Sequence, residues 1–172
     1  RPCDTVETFV AWQMAVEHKQ TPTALILTRQ NLAHQERDAA QVKAIRQGGY
    51  VLKDCAGAPK AVIIATGSEV SLAVEAQKAL AEKGIPVRVV SMPSSFMFDQ
   101  QDKAYRDAVL PRGVPRVAVE AGVSGYWRQY VGLDGAVVGI DRFGECGPAG
   151  KVFEFLGITA AKVAEAVEGV IA

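Results

Sequence analysis

The order of apolar runs and amphipathic segments in the second half of the sequence constrains the fold more than any other feature. Apolar runs occupy residues 61–65, 87–92, 116–120 and 135–140, and segments with helical spacing separate the first three. The runs do not alternate strictly between apolar and polar residues, which is typical of parallel strands covered by helices on both faces. The pattern predicts an α/β fold: a three-layer sandwich with a small, mostly parallel sheet covered by helices, with room for an antiparallel edge strand.

Helix boundaries support this prediction. The segment 69–83 ends at Gly84, a residue typical of helix C-termini, and a shorter helix near 102–110 is stopped by Pro111. Thr159 is placed to cap a last helix, whose valines recur on one face. Each predicted strand and helix therefore has its own start or stop signal.

The N-terminal third has a different pattern of apolar and polar residues. Asp4 and Glu7 resemble an acidic helix cap, and the helix that they begin runs to about His18. The apolar stretch 23–28, TALILT, then predicts a strand, and 50–55 predicts a short second one.

One helix and one strand are too few for a domain. We therefore expect residues 1–40 to be a helix-strand remnant of another α/β domain. The stretch 35–47 is polar and charged and looks like a linker with some helical character. We assign residues 41–55 to the linker and residues 56–172 to the main domain.

Composition excludes several functional classes. Lys plus Arg and Asp plus Glu both total 19, so no strong basic field exists to hold nucleic acid or an anionic membrane. The apolar runs are far shorter than the roughly 20 residues that span a bilayer, and we expect a soluble, cytoplasmic protein. Cys3, Cys55 and Cys146 lack the spacing of a zinc site or a disulfide framework, so reduced thiols are expected.

Arg29 is the first candidate functional residue. It follows the apolar run 24–28, at what would be the C-terminal end of a buried strand, where open α/β sheets bind ligands. Its planar guanidinium suits a phosphate or a carboxylate. An ordinary ion pair with another part of the protein explains the same position.

The turn ATGSE, residues 65–69, is the second candidate, because it connects a buried strand to a helix N-terminus that can hold an anion. The glycine patterns of nucleotide-binding loops are missing. Thr66 and Glu69 also fit a capping box, which needs no ligand and which we favour.

Other candidates are weaker. Cys146 lies in a glycine-rich loop just before a helix expected to start at Pro148, but neither His18 nor His34 is near it in sequence to serve as a base. Glu120 ends a strand and is interpreted as a carboxylate that accepts hydrogen bonds from a neighbouring loop. Tyr126, Trp127 and Tyr130 form an aromatic cluster that suits either a core or an interface.

Several segments together resemble the C-terminal part of bacterial transketolase, in order and spacing. They include RPCDTVETFVAW, PTALILTRQNL, GGYVLKDCAG, IATGSEVSLAVEA, VRVVSMPS, RVAVEAG and GIDRFGECGPA. The similarity extends over essentially the whole chain.

The resemblance implies an enzyme that depends on thiamine diphosphate and a divalent cation, Mg²⁺ or Ca²⁺. Such an enzyme moves a two-carbon ketol unit from a ketose phosphate to an aldose phosphate and acts as a homodimer. Arg29, within TRQN, matches the arginine that contacts the substrate phosphate in this family. Residues 1–40 would end the pyrimidine-binding domain, and 56–172 would be the third domain.

The same resemblance implies that catalysis lies elsewhere in the parent enzyme. The family's Gly-Asp-Gly cofactor motif, its general-acid glutamate and its substrate histidines have no counterparts in this sequence. We therefore expect no catalytic residue, no cofactor and no metal on this chain, which would be inactive alone.

Two alternatives stay open. One is a non-catalytic α/β module, regulatory or ligand-binding, that holds an anion at ATGSE. The other is the third domain of a related thiamine diphosphate enzyme, against which TRQN argues.

Overall fold

The computed structural model describes residues 1–172, and its centre is a five-stranded sheet. The strand order is β1-β3-β2-β4-β5. The strands are β1 (Tyr50–Lys53), β2 (Ala61–Ala65), β3 (Val87–Ser91), β4 (Arg116–Val119) and β5 (Ala136–Val138). The pairs β2/β3, β2/β4 and β4/β5 are parallel, and only β1 is antiparallel to its neighbour β3. The predicted α/β sandwich with a mostly parallel sheet is confirmed.

Eight α-helices accompany the sheet. They are α1 (Thr5–Glu17), α2 (Ala39–Ala44), α3 (Glu69–Glu82), α4 (Ser95–Asp99), α5 (Lys103–Val109), α6 (Arg128–Val131), α7 (Ala149–Phe155) and α8 (Ala160–Ile171). Short 3₁₀ turns precede β1, at Ile45–Gln47, and α6, at Ser124–Trp127. None of the helices combines the length and the apolar character that a membrane crossing would require.

The strand β2 shows why the apolar runs do not alternate. All five of its residues are buried, with Ile63 in the core that includes side chains of α3 and α8, and Ile64 in the core on the opposite face. Successive side chains of a strand point to opposite faces, so a strand with helices on both sides needs apolar residues throughout.

The predicted caps of α1 and α8 are confirmed. The Asp4 carboxylate accepts a hydrogen bond from the Glu7 N–H at 3.1 Å, and the Thr159 hydroxyl accepts one from the Lys162 N–H at 3.2 Å. Each residue satisfies a backbone donor that the first helical turn leaves free.

One expectation about the N-terminal third needs correction. Residues 23–28 form no strand: they are extended but pair with no strand of this chain, and Ile26 and Leu27 are 62% and 51% exposed. An apolar run becomes a strand only where a partner satisfies its backbone, and the sheet offers none here. The short strand predicted within 50–55 is confirmed, since Tyr50–Lys53 form the edge strand β1.

Candidate functional site

Arg29 lies in a groove between two segments that are distant in sequence. One wall comes from residues 26–30, and the other comes from Gly67, Ser68 and Glu69, with Arg1 between them. The cavity measures about 250 Å³. The structure thus brings together Arg29 and the ATGSE turn, the two leading candidates from the sequence.

The Arg29 side chain is exposed and makes no hydrogen bond or ion pair within the chain. The side chains on either side of it bond to each other instead: the Thr28 hydroxyl donates a 2.5 Å hydrogen bond to the Gln30 side-chain oxygen. The ion pair that we considered as an alternative is therefore not formed within this chain. All five N–H donors of the guanidinium stay available for an anionic ligand.

The other wall is a tight turn that requires a glycine. Gly67 has φ of +57°, and a Cβ atom there would lie 3.0 Å from the Arg1 guanidinium. The Gly67 N–H donates to the Arg1 carbonyl at 3.1 Å, and the Thr66 hydroxyl donates to the same oxygen at 3.3 Å. The turn is therefore built around Arg1.

The capping box predicted for Thr66 and Glu69 is wrong. No side chain caps α3, because the Glu69 carboxylate turns away from the helix end and pairs with Arg1 at 3.0 Å. It also accepts hydrogen bonds from the Ser68 hydroxyl, at 2.5 Å, and from the Ala121 N–H, at 3.3 Å.

The Arg1 guanidinium bridges two carboxylates. Glu120 contacts it at 2.5 Å on the side opposite the fully buried Glu69. Burial lowers the pKa of Arg1, but the attraction of Glu69 and Glu120 outweighs burial and leaves the pKa above its ordinary value. Glu120 also accepts a 2.7 Å hydrogen bond from the Trp127 indole, which confirms the interpretation of Glu120 as an acceptor for a neighbouring loop. Within the groove the Arg1 charge is neutralised and the Arg29 charge is not.

The remaining candidates form no catalytic constellation. His18 contacts only the Thr21 hydroxyl, at 3.3 Å, and the exposed His34 lies 3.7 Å from Asp4. Cys146 is exposed just before α7, and the cavity beside it contains no histidine. The aromatic cluster is mainly core: Trp127 and Tyr130 are buried with ring centroids 5.6 Å apart, whereas Tyr126 is 47% exposed.

A buried polar network centred on Arg37 was not predicted from the sequence. The Arg37 guanidinium lies 2.6 Å from Asp4 and 3.5 Å from Glu7, and its side chain is 1% exposed. Glu7 in turn accepts hydrogen bonds from Tyr50, at 2.8 Å, and from Ser91, at 2.6 Å. One signal in the sequence pointed to this network: Glu7 and Val10 are three residues apart and therefore share the buried face of α1. The network ties α1 to the sheet.

The described residues do not form a metal site. No group of three or more His, Cys, Asp or Glu side chains is arranged to hold a metal ion. The groove beside Arg29 contains one carboxylate, Glu69, and this is already paired with Arg1.

A family model described as the transketolase-like TK C-terminal domain matches residues 48–159, which include the whole sheet. The chain belongs to the transketolase family. Transketolase 1 of Escherichia coli (strain K12) is 59% identical over 160 residues, covering 92% of this chain and 24% of that protein. Transketolase 1 of Vibrio cholerae is 53% identical over 173 residues, covering 100% of this chain and 26% of that protein.

Solved structures give the same result. Transketolase from Leishmania mexicana superposes with a TM-score of 0.92 at 44% identity, over 99% of this chain and 24% of that one. A Pichia stipitis transketolase in complex with sedoheptulose-7-phosphate gives a TM-score of 0.90 at 40% identity, with the same coverage. The chain spans about a quarter of the transketolases that it matches and corresponds to their C-terminal part.

Proposed function

We propose that this chain acts as the C-terminal part of a transketolase. The enzyme would depend on thiamine diphosphate and Mg²⁺ or Ca²⁺ and would transfer a two-carbon ketol unit from a ketose phosphate to an aldose phosphate. It would work in the cytoplasm, in the pentose phosphate pathway. The division into a pyrimidine-domain remnant at 1–40, a linker and a third domain belongs to the same proposal.

Within that enzyme, Arg29 binds the phosphate group of the sugar substrate. The observation that carries this role is the unpaired guanidinium of Arg29 in a groove where Arg1 is neutralised by two carboxylates. A phosphate dianion accepts two parallel N–H bonds from one arginine, which gives both affinity and orientation. The Pichia stipitis relative solved with sedoheptulose-7-phosphate supports a sugar phosphate as the ligand class.

The chemical step would take place on other parts of the enzyme. We assign the cofactor and its metal to those parts, since no cluster of His, Cys, Asp or Glu side chains on this chain is arranged to hold a metal ion. The chain contributes substrate binding and contact surface, and we expect it to be inactive alone.

Exposed apolar side chains support a role in assembly. Phe9, Trp12 and Val16 recur at helical spacing on α1 and are 63%, 54% and 71% exposed. Ile26 and Leu27, in the lining of the groove, are 62% and 51% exposed. Apolar surface of this kind marks contacts with other protein surface, which fits the remainder of a homodimeric enzyme.

The electrostatics of the ATGSE turn disfavour the anion-binding module. The fully buried Glu69 carboxylate lies in the turn, and the Gly67 N–H is already bonded to Arg1. An anion bound by the turn itself would have to compete with the Arg1 carbonyl for this donor, whereas the donors of Arg29 across the groove are free.

Steady-state kinetics of the full-length enzyme test the role of Arg29. For Arg29→Ala we expect KM for a phosphorylated aldose acceptor to rise roughly 10- to 150-fold, as expected for about 1.5 to 3 kcal/mol from a hydrogen bond to a charged group. KM for the unphosphorylated analogue should stay the same. Arg29→Lys keeps the positive charge but loses the paired N–H donors of the guanidinium. Its KM for the phosphorylated acceptor should lie between those of the wild type and Arg29→Ala.

Arg142→Ala is the matched control, because Arg142 is an exposed arginine that does not line the Arg29 groove and that contacts Glu145 and the Phe155 ring. Arg142→Ala should leave KM for both acceptors unchanged. An equal rise in KM for both acceptors with Arg29→Ala, or no rise for either, would refute the phosphate-binding role.

A further inference from the structure

A second cavity of about 440 Å³ lies on the sheet face opposite α3 and α8, toward the amino end of β4. Its charged lining consists of Lys103, Arg106, Arg112 and Arg116, together with Asp99 and Asp107. Arg116 begins β4, whereas Glu120, which holds Arg1 beside the Arg29 groove, follows its end. Four residues of parallel strand separate them by about 13 Å, so the two cavities are distinct.

The charges of this cavity do not cancel. Asp107 pairs with Lys103 at 2.7 Å and with Arg112 at 3.0 Å, and Asp99 accepts a hydrogen bond from the Tyr130 hydroxyl at 2.9 Å. Four cationic side chains therefore face two carboxylates. A net positive cavity in a chain with no net charge is a local concentration of cations.

Several guanidinium donors in the cavity are free. Arg106 makes no side-chain hydrogen bond or ion pair, and Arg112 uses only its Nε, leaving both terminal nitrogens available. Unlike most arginines of this protein, these two offer donors to a ligand rather than to the protein itself.

Arg116 is held in place without being neutralised. Its terminal nitrogens donate to the carbonyls of Tyr130, Leu110 and Pro111 at 2.8, 2.9 and 3.1 Å, and no carboxylate contacts it. Burial lowers its pKa below the ordinary value, which the attraction of Asp107 offsets only in part. A half-buried guanidinium that is bonded only to carbonyls retains its charge for an anion.

We propose that this cavity binds a small molecule through a phosphate dianion, with Arg106 and Arg112 as direct ligands and Arg116 as the fixed charge behind them. Its volume lies within the range of small-molecule sites. The concave shape and the zero net charge of the chain favour a small anion over nucleic acid. The site goes beyond the proposed transketolase function and does not depend on it.

A titration of the 172-residue chain with inorganic phosphate tests the proposal, with the arginine Nε–Hε resonances as the NMR readout. We expect saturable shifts at Arg106, Arg112 and Arg116. Arg106→Ala removes a side chain that makes no hydrogen bond or ion pair, so the fold should survive, and Kd should rise about tenfold or more. Asp107→Asn should lower Kd, because it removes a competing carboxylate.

Two controls separate this cavity from other arginines. Arg142→Ala removes an exposed, paired arginine and should leave Kd unchanged. Arg29→Ala should also leave it unchanged, whatever that variant does to the kinetics of the full enzyme. The proposal is overturned if the shifts do not saturate, if sodium chloride at equal ionic strength reproduces them, or if Arg29→Ala rather than Arg106→Ala abolishes binding.

Discussion

The hydroxyl of Tyr50 donates a 2.8 Å hydrogen bond to the buried carboxylate of Glu7, which joins β1 to α1 across 43 positions of sequence. Burial, followed by the nearby negative charge of Glu7, raises the pKa of Tyr50 well above its ordinary value, so the phenol stays protonated and donates. Arg37 completes the arrangement by donating to the Tyr50 oxygen at 2.6 Å. The N-terminal helix is therefore attached to the sheet by polar contacts as well as by apolar packing.

Glu7→Gln should destabilise the chain by about 3 kcal/mol, because it leaves the buried Arg37 with one carboxylate and weakens three charge-assisted hydrogen bonds. Urea unfolding, monitored by far-UV circular dichroism, gives the free energy of unfolding. Glu17→Gln is the matched control, since Glu17 lies on the same helix as Glu7 and forms an exposed ion pair with Arg46 of the turn before β1. The control should cost less than about 1 kcal/mol. Equal losses for the two variants would show that the buried network does not stabilise the fold.

The stability should also fall in acid because of Asp4. Burial raises the pKa of Asp4, but the hydrogen bonds from Arg37 and from the Gln35 and Glu7 N–H groups outweigh burial and hold the pKa below its ordinary value. A depressed folded-state pKa contributes stability that is present above the unfolded value of about 3.9 and is lost as the pH falls through the folded value.

Urea midpoints measured between pH 6 and pH 2.5 check this expectation. The wild-type midpoint should decrease below about pH 4.5, whereas Asp4→Asn should start lower and show a smaller decrease. Asp107→Asn is the control: Asp107 also has a depressed pKa, caused by Lys103 and Arg112, but its side chain is 34% exposed, against 2% for Asp4. Its contribution to the pH dependence should disappear in about 1 M salt, while that of Asp4 should persist.

The sequence predicts the sheet well because the determining signals are local. The run Ala61–Ala65 is apolar on both faces, and Gly84 and Pro111 mark where helices end. Each signal depends on the period of a strand or on the backbone of one turn, so no distant residue alters it.

The site was harder to predict because its contacts are distant in sequence. Glu69 fits a capping box in the sequence, but in the fold its carboxylate pairs with Arg1, 68 positions earlier. Arg37 lies in a polar stretch that reads as a linker, and only the folded chain places it between Asp4 and Tyr50. Local pattern alone did not reveal which ionisable groups the fold buries together.

The backbone at Gly48 should tolerate no side chain. Gly48 has φ of +85°, and a Cβ atom there would lie 2.2 Å from the Ser94 carbonyl oxygen and 2.5 Å from the Phe98 nitrogen. Gly48→Ala should cost at least about 3 kcal/mol in the free energy of unfolding, because a clash with backbone adds to left-handed strain. Gly84→Ala separates the clash from the strain, because Gly84 has φ of +72° but no atom lies within 4 Å of the position of a Cβ. This substitution should cost only about 1 to 2 kcal/mol in the free energy of unfolding. Similar losses would mean that the Ser94 segment moves aside.

The three cysteines should differ widely in reactivity toward a thiol reagent. Cys146 is exposed, Cys55 is half-buried with a raised pKa caused by burial and then by Asp54, and Cys3 is 3% exposed. Burial, with the charges of Glu7 and Asp4, raises the pKa of Cys3 far above its ordinary value. Because the thiolate is the reactive form, we expect one fast phase from Cys146, a slower one from Cys55, and reaction of Cys3 only after unfolding.

Alkylation with iodoacetamide at pH 8, followed by peptide mass spectrometry, assigns each phase to a residue. Cys146→Ser should remove the fast phase and leave the other two rates unchanged. Glu7→Gln provides the sharper test, because the network that Glu7 holds together also covers Cys3, whose N–H donates to Glu7 at 2.7 Å. In that variant Cys3 should become labelled in the folded protein through more frequent local opening. If Cys3 stays as protected as in the wild type, the network does not limit the opening of the N-terminal segment.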